Sequence, residues 1–400
     1  MDKKLVFLGP LYPKEREEEI RANSLTTISN APNVFQWNLL SGLRECLGQK
    51  LTVVNVLPVG CWKSSYRRAF LTESDWQSCG IAGHEIGSMN FPVIKQLQRY
   101  VKTKKLLKRT ADENTEILIY SAYMPFLKAV YHLPPKIKIT AIITDLPEFY
   151  DLGRTSRVRQ FLRKCQNKMV YKYLERVDRF VVLTKQMCKP LKVNNRPWIC
   201  IEGVCSASGS EQLTAHTDGQ IKAIFYSGTL HYQYGIKNLL DAFSAIENDD
   251  LELWICGGGE AESEIKKLAE SDKRLKFYGF CTQTEVARLR AKSAVLVNPR
   301  PNEGEYTKYS FPSKTMEYMT SGKPVVMYKL DGIPDEYDKY LNYVDASVSH
   351  TSGLKSSIMY VIANYDAMRA KADAACKFIL DNKSGTVQAK KVIRFLESNP

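Results

Sequence analysis

The chain has 400 residues, a formal net charge of +14, 25% charged residues and 44% hydrophobic residues. That length suits two domains of ordinary size better than one, and the balance of residues excludes a disordered chain. No apolar run approaches the roughly 18 residues that cross a bilayer, and the ten cysteines show neither a C-x-x-C pair nor a histidine at zinc spacing. A reducing cytoplasm is the expected compartment. Residues 1–200 hold 33 Lys+Arg against 17 Asp+Glu, whereas residues 201–400 hold 24 against 26. The excess positive charge therefore lies in the first half, as expected of a domain facing phosphates, acidic lipid headgroups or nucleic acid.

In chain order, MDKKLVFLGPLYPKEREEEI starts like a signal peptide, but Gly9, Pro10 and an acidic run break it, so Leu5 to Leu8 reads as the first buried strand. Further short runs rich in Val and Ile follow at helix-sized intervals: Leu51 to Leu57, Ile117 to Tyr120, Ile139 to Thr144 and Phe180 to Leu183. Near-continuous apolar runs are strands buried on both faces. Between Arg154 and Val177 an apolar stripe of Val158, Leu162, Cys165, Met169 and Tyr173 predicts a helix whose other face carries Arg157, Arg159, Arg163, Lys164, Lys168, Lys172 and Arg176. Such a face lies on an acidic membrane or is simply solvated. A second basic cluster spans Arg99 to Arg109.

Cys205 to Gln220 is polar and aperiodic and reads as a linker. The strand rhythm then restarts with Ala223 to Tyr226, Leu251 to Cys256, Leu275 to Tyr278, Ala294 to Val297 and Val325 to Tyr328. Thr282 and Glu285 have capping-box spacing ahead of a helix through Arg290. Gly257 to Gly259 lacks the third glycine of a dinucleotide loop and reads as a tight strand-to-helix turn. Two parallel α/β sheets in tandem are expected, with ligands at the carboxyl ends of the strands and in a cleft between the domains.

The segment Asn298 to Val326 joins a strand, a basic loop and a helix with almost no spacer. Pro312 suits the first turn of a helix running to about Gly322, and Lys314 falls in that turn, where the helix dipole disfavours a cation unless an anion is also bound. Glu317, three residues on, shares its face. The pair is either a solvated surface pair or two groups meeting one phosphate-bearing ligand, and its place after the strand and basic loop favours the second.

SFPSKTMEYMTSGKPVV resembles the donor-site segment of family-4 retaining glycosyltransferases of GT-B fold, matching at Phe311, Glu317, Met319, Gly322, Pro324, Val325 and Val326. AIFYSGTLHYQYGIKNLLDAF, LELWICGGGEAESEIKKLA and LKFYGFCTQTEVARLRAKSAVLV resemble the preceding units of that family's second domain. FVVLTKQM, IEGV and ITDLPEFY resemble the end of its first domain, the last as in members that assemble sugar polymers. The resemblance implies an α/β fold of GT-B type, with two Rossmann-like parallel-sheet domains facing across a cleft. Residues 1–205 would form the acceptor-side domain, 206–220 the linker, 221–375 the nucleotide-sugar domain, and 376–400 a C-terminal helix packing back on the first domain.

The same resemblance implies sugar transfer from a nucleotide-diphosphate-sugar with retention at the anomeric carbon, without metal or further cofactor. Glu317 would accept hydrogen bonds from the ribose hydroxyls, and the backbone of Ser310, Phe311, Pro312 and Ser313 would hold the diphosphate or sugar. Gly228 and Thr229 line the same donor region. Three positions depart from the family pattern. Tyr309 stands where another glutamate is usual, leaving the sugar hydroxyls to Tyr309, Glu303 or Glu305, and Thr229 and Tyr234 occupy the positions of the usual arginine and lysine. Lys314, Lys308 and Arg300 are the candidates to supply that missing charge, Lys314 first. Asp145, at a strand end after Thr144, either orients the acceptor hydroxyl, stabilises positive charge on the sugar, or caps a loop. Asn33 and Gln36, near the start of the first long helix, either bind hydroxyls or cap it.

The expected protein is a cytoplasmic glycosyltransferase, peripheral at the inner face of a membrane, that acts on a glycan or lipid-linked acceptor in cell-surface polysaccharide or glycoconjugate assembly. The alternatives are a non-catalytic nucleotide-sugar-binding scaffold subunit and a nucleotide-sugar epimerase on the same fold. Nucleic acid is not an expected partner, because charge alone suggests it and no recognised module supports it.

Overall fold

The computed structural model describes residues 2–26, 30–149, 157–206 and 222–399; apart from Ser206, the expected linker lies outside the described residues, as do the side chains of Arg157, Val158 and Arg159. Two compact units are present: Met1–Val204 with Ser384–Pro400, and Cys205–Lys383.

The first unit contains strands β1 (Lys4–Pro10), β2 (Leu51–Val56), β3 (Phe70–Leu71), β4 (Ser74–Ser78), β5 (Ile81–Glu85), β6 (Ser88–Met89), β7 (Thr115–Tyr120), β8 (Lys138–Ile143), β9 (Arg179–Val182) and β10 (Trp198–Cys200). Its helices are α1 (Glu17–Asn23), α2 (Ala31–Leu47), α3 (Ile94–Thr110), α4 (Met124–Val130) and α5 (Arg157–Leu174). The main sheet has the order β10-β9-β8-β7-β1-β2-β5-β4, parallel except where β4 and β5 form a hairpin, and β3 pairs antiparallel with β6. The five long runs read from sequence form the sheet's interior because side chains such as Leu5, Val53, Leu118, Ile139 and Phe180 are almost wholly buried. The polar hairpin Ser74–Glu85 and the two-residue strands carry no such signal.

The stripe expected to bury α5 is mostly on its outside. Leu162 and Met169 are 60% and 42% exposed, and Cys165 is exposed as well. Only the last turns are covered, by Val170, Leu174 and Tyr173, whose ring packs edge-on against Tyr131 at 5.3 Å. Periodicity located the helix but misplaced the limit of its contact with the rest of the unit.

The second unit contains β11 (Lys222–Ser227), β12 (Leu251–Cys256), β13 (Leu275–Gly279), β14 (Val295–Asn298), β15 (Val325–Met327) and β16 (Asn342–Tyr343). Helices α6 (Ile236–Ser244), α7 (Glu262–Ser271), α8 (Gln283–Lys292), α9 (Ser313–Met319), α10 (His350–Ala363) and α11 (Tyr365–Lys383) accompany them. The sheet, β13-β12-β11-β14-β15-β16, is parallel throughout. Both halves of the Thr282–Glu285 capping box are formed at the start of α8.

The chain returns to the first unit at Ser384, not at residue 376, because α11 runs unbroken to Lys383 and packs on α9 and α10. The return helix, α12 (Gly385–Ser398), lies on α2. Their backbones meet at two glycines: a Cβ on Gly42 would stand 2.1 Å from the Gly385 carbonyl oxygen. Arg179, 1% exposed, ties the end of this helix to the sheet by pairing with Glu116 and donating to the carbonyls of Leu396 (2.9 Å) and Asn399 (2.6 Å). Among the described residues no helix is long and apolar enough to cross a membrane.

Candidate functional site

In the second unit, β11 is followed in space by β12 and β13 on one side and by β14, β15 and β16 on the other. The carboxyl ends of β11 and β14 therefore form a topological switch point, where loops diverge and leave a crevice. Gly228 and Thr229 leave β11, and residues 299–312 leave β14. The two segments meet at Gly235, where φ is +79° and a Cβ would stand 1.9 Å from the Pro299 carbonyl oxygen. Only glycine accommodates both conditions.

Lys314, in the first turn of α9, extends to Gly228. A Cβ on Gly228, whose φ is +149°, would stand 2.1 Å from the Lys314 Nζ, so glycine leaves the space that the ammonium enters. The same Nζ lies 5.8 Å from the ring centroid of Tyr226, whose hydroxyl donates to the Thr229 carbonyl at 2.9 Å. Burial pushes this lysine below its ordinary pKa range, and the neighbouring Glu317 only partly opposes that. Among the described residues no hydrogen-bond acceptor or close ion pair engages the ammonium. It is a half-buried cation that Glu317 offsets only in part among the described residues.

Arg300 approaches from the other loop. Its guanidinium lies over Tyr234 (5.4 Å) and Tyr306 (4.7 Å) and donates to Ser310 Oγ at 3.1 Å, while its buried Nε has no partner. At the end of β14 the buried Asn298 Nδ2 is likewise unpaired. The sequence placed Thr229 and Tyr234 where relatives usually carry arginine and lysine. In space Lys314 stands at the Gly228–Thr229 backbone, and Arg300 stacks on Tyr234 itself. Two cations from the β14–α9 segment thus occupy the neighbourhood that the β11–α6 loop leaves uncharged.

Glu317, one turn along α9, is paired with Arg290 of α8. The next residue, Tyr318, is fully buried and its hydroxyl accepts from Ser227 N at 3.1 Å, fixing α9 to the end of β11. Sequence reading missed Arg290, Tyr226 and Tyr318, since no local spacing relates these positions to their partners. Pro312 precedes the first turn, as the N-cap, and α9 ends at Met319 instead of running to Gly322. Ser310 and Ser313 stay near the site, but the Phe311 side chain is buried against Tyr337 at 5.2 Å and belongs to the core. Tyr309 is half-buried at the end of the 3-10 turn, and Lys308 is exposed, 3.9 Å from Glu305. Glu303, an alternative carboxylate for sugar hydroxyls, is engaged by His350 at 2.7 Å.

The expected residues of the first unit differ among themselves. Asp145 is exposed just beyond the end of β8 and accepts from Thr144 Oγ1 at 3.2 Å. Asn33 and Gln36 are buried and used by the fold. Asn33 Oδ1 accepts from Tyr12 N at 3.1 Å, and Gln36 Nε2 donates to the carbonyls of Pro10 and Pro32, both at 3.0 Å. They secure the loop after β1, while the buried Gln36 Oε1 has no partner among the described residues. No cluster of His, Cys, Asp and Glu able to hold a metal ion occurs among the described residues.

A sheet of parallel strands with loops gathered at a switch point, one in each unit and edged by the β4–β5 hairpin in the first, defines a protein with two Rossmann-like units, the GT-B architecture. Residues 221–354, all in the second unit, match the family model described as Glycosyl transferases group 1. The whole chain resembles sucrose-phosphate synthase from Thermosynechococcus elongatus, with a TM-score of 0.66, 13% identity and 100% of each chain covered. It also resembles HepE of Anabaena in complex with UDP, with a TM-score of 0.65, 12% identity, and 99% of this chain and 100% of that one covered. A UDP-forming trehalose-phosphate synthase from Burkholderia xenovorans gives 0.69 and 11%, with 98% and 100% covered. At these identities the likeness is one of fold. No curated protein matches the chain by sequence.

Proposed function

We propose that the protein is a retaining glycosyltransferase that moves a sugar from a nucleotide-diphosphate-sugar to a hydroxyl acceptor. The observation that carries this reading is the half-buried Lys314 ammonium, without a hydrogen-bond acceptor among the described residues, at the switch point of the unit that matches group 1 glycosyl transferases, with Arg300 across the same crevice. A diphosphate supplies the negative charge that both cations lack, and they stabilise the nucleoside diphosphate as it leaves. Glu317, held by Arg290, offers its remaining acceptor capacity to the ribose diol, and Tyr309, Ser310 and Ser313 contact the sugar.

With the leaving group neutralised by side chains, the chemistry assigned to this chain needs no metal. Asp145 orients the acceptor hydroxyl. The acceptor is a glycan or lipid-linked hydroxyl in cell-surface polysaccharide or glycoconjugate assembly, and the protein works in the cytoplasm at the inner face of a membrane.

The test is a thermal-shift screen of nucleoside diphosphates and nucleotide sugars, followed by donor turnover with the best binder. Bound ligand raises the melting temperature by mass action. Glu317→Ala and Lys314→Ala are expected to abolish both shift and turnover; unchanged turnover in both removes the site assignment. Donor binding without transfer or hydrolysis across an acceptor panel would favour the scaffold reading, and an isomerised sugar formed without acceptor would favour an epimerase.

A further inference from the structure

Helix α3 has its polarity reversed. A surface helix normally buries its apolar stripe and exposes its charges. Here Lys95 and Arg99 are 3% and 2% exposed, whereas Ile94, Leu97 and Val101, at i, i+3 and i+7, are 44%, 55% and 50% exposed. The inward cations are held within the fold, although the buried Arg99 Nε has no partner among the described residues. Lys95 donates to the carbonyls of Val59 (2.6 Å) and Gly60 (3.2 Å) and to Asn90 Oδ1 (2.9 Å), and Arg99 donates to the Leu57 carbonyl (2.8 Å) and the Tyr123 hydroxyl (2.9 Å). With these bonds holding one face of the helix inward, its apolar face is left in water.

The stripe continues onto neighbouring chain. Val93, a β-branched residue at φ +64°, is 77% exposed at the start of the helix. Phe70 and Met89, paired across the β3–β6 ribbon, are 66% and 41% exposed. Met89 N donates to Gln98 Oε1 at 2.7 Å, which joins the ribbon to the exposed side of α3. An apolar patch facing solvent is costly unless something covers it.

The charges say what covers it. Four and seven residues beyond Val101, on the same face, stand Lys105 and Lys108, both exposed, with no ion pair or hydrogen bond among the described residues. Arg67 is exposed next to the ribbon. The acidic groups at this edge are occupied: Glu73 by Lys102 (2.7 Å), and Asp75 by His84 (2.6 Å). An apolar patch bordered by unpaired cations is complementary to lipid headgroups of negative charge over an acyl boundary. A second copy meeting this one through the same patch would bring like charges together.

We infer that the outer face of α3 with the β3–β6 ribbon is the surface by which the protein docks on an anionic bilayer. This locates the membrane association named in the proposed function and stands independently of the sugar chemistry. The experiment is flotation of the full chain with phosphatidylcholine vesicles, with and without phosphatidylglycerol. It compares wild type with Leu97→Ser/Val101→Ser and with Lys105→Gln/Lys108→Gln.

Wild type is expected to float with the phosphatidylglycerol vesicles and not with phosphatidylcholine alone. Each double variant is expected to bind about tenfold more weakly, the lysine variant losing also the salt dependence. All three proteins keep the same nucleotide-induced thermal shift, so failure of the donor reading shows separately from failure of docking. Equal flotation of wild type and variants overturns the proposal, as does equal binding to both vesicle types. A concentration-dependent dimer that Leu97→Ser/Val101→Ser abolishes, with no vesicle binding by wild type, assigns the face to a second copy and overturns it too.

Discussion

The polar side chains at the carboxyl ends of the strands are treated differently in the two units. In the first, Asn33 and Asn55 are buried and paired: Asn55 donates to the Leu11 carbonyl at 2.9 Å and accepts from Trp76 Nε1 at 2.8 Å, and Asn33 holds the loop after β1 together with the Gln36 Nε2, although the buried Gln36 Oε1 has no partner among the described residues. In the second, the half-buried Lys314 ammonium and the buried Arg300 Nε and Asn298 Nδ2 have no acceptor among the described residues. Buried polar groups are ordinarily paired, so leaving several unpaired at one switch point is a cost that a folded scaffold alone does not repay. The contrast separates residues that close a loop from residues that await a ligand.

The sharpest way to break this contrast is Lys314→Met. Donor turnover is expected to fall by about 100-fold or more, because the variant loses a cation aimed at the developing diphosphate charge. The ligand-free variant is expected to melt higher, by roughly 2–4 °C, since an apolar side chain removes a half-buried charge that is offset only in part. Lower stability and unchanged turnover together would make Lys314 an ordinary structural residue.

Arg300→Gln ranks next. Affinity for a nucleoside diphosphate, measured by calorimetry, is expected to drop by about tenfold, the size of one charge-assisted hydrogen bond. Asn33→Ala, on the other side of the comparison, is expected to lower stability by about 1 kcal/mol while leaving KM for donor and acceptor unchanged. A raised KM for acceptor would return Asn33 to the site.

The smallest effect is one of pH. Lys314 has its folded pKa depressed by burial, so over the window between that value and the ordinary lysine value the unfolded chain holds a proton that the folded chain has released. Ligand-free stability therefore rises with pH across this window, and donor affinity falls as pH enters it, because the neutral amine no longer attracts phosphate. Denaturant melts of wild type against Lys314→Met are expected to show a steeper rise in wild type, since Lys95, Lys323 and Lys371, also depressed by burial, contribute equally to both proteins.

Legibility in the sequence followed burial. The ten apolar runs became strands within a residue or two because chain buried on both faces must be apolar throughout. The Ser74–Glu85 hairpin and the β3–β6 ribbon did not, being polar or two residues long. On helices, periodicity gave existence and not contact. The α5 stripe through Leu162 and Met169 faces solvent. The cluster at Arg99 to Arg109 read as a basic surface, whereas Arg99 is buried and Leu97 and Val101 are outside.

Within the candidate site, Lys314 and Glu317 were legible because strand, loop and helix are contiguous there. Arg300 was a candidate, but its stacking on Tyr234 joins separate loops, and Arg290 with Glu317 joins separate helices. Asn33 and Gln36 read equally as hydroxyl binders or helix caps because a paired amide and an unpaired one look alike until the backbone around them is placed; in the fold the Asn33 Oδ1 and the Gln36 Nε2 hold the loop after β1.

The most direct measurement is a calorimetric comparison of a nucleoside, its monophosphate and its diphosphate, using the base selected by the thermal-shift screen, on wild type and Lys314→Met. The account predicts that wild type prefers the diphosphate strongly over the monophosphate and that the variant loses this preference while still binding the nucleoside. The same diphosphate preference in both proteins would contradict it.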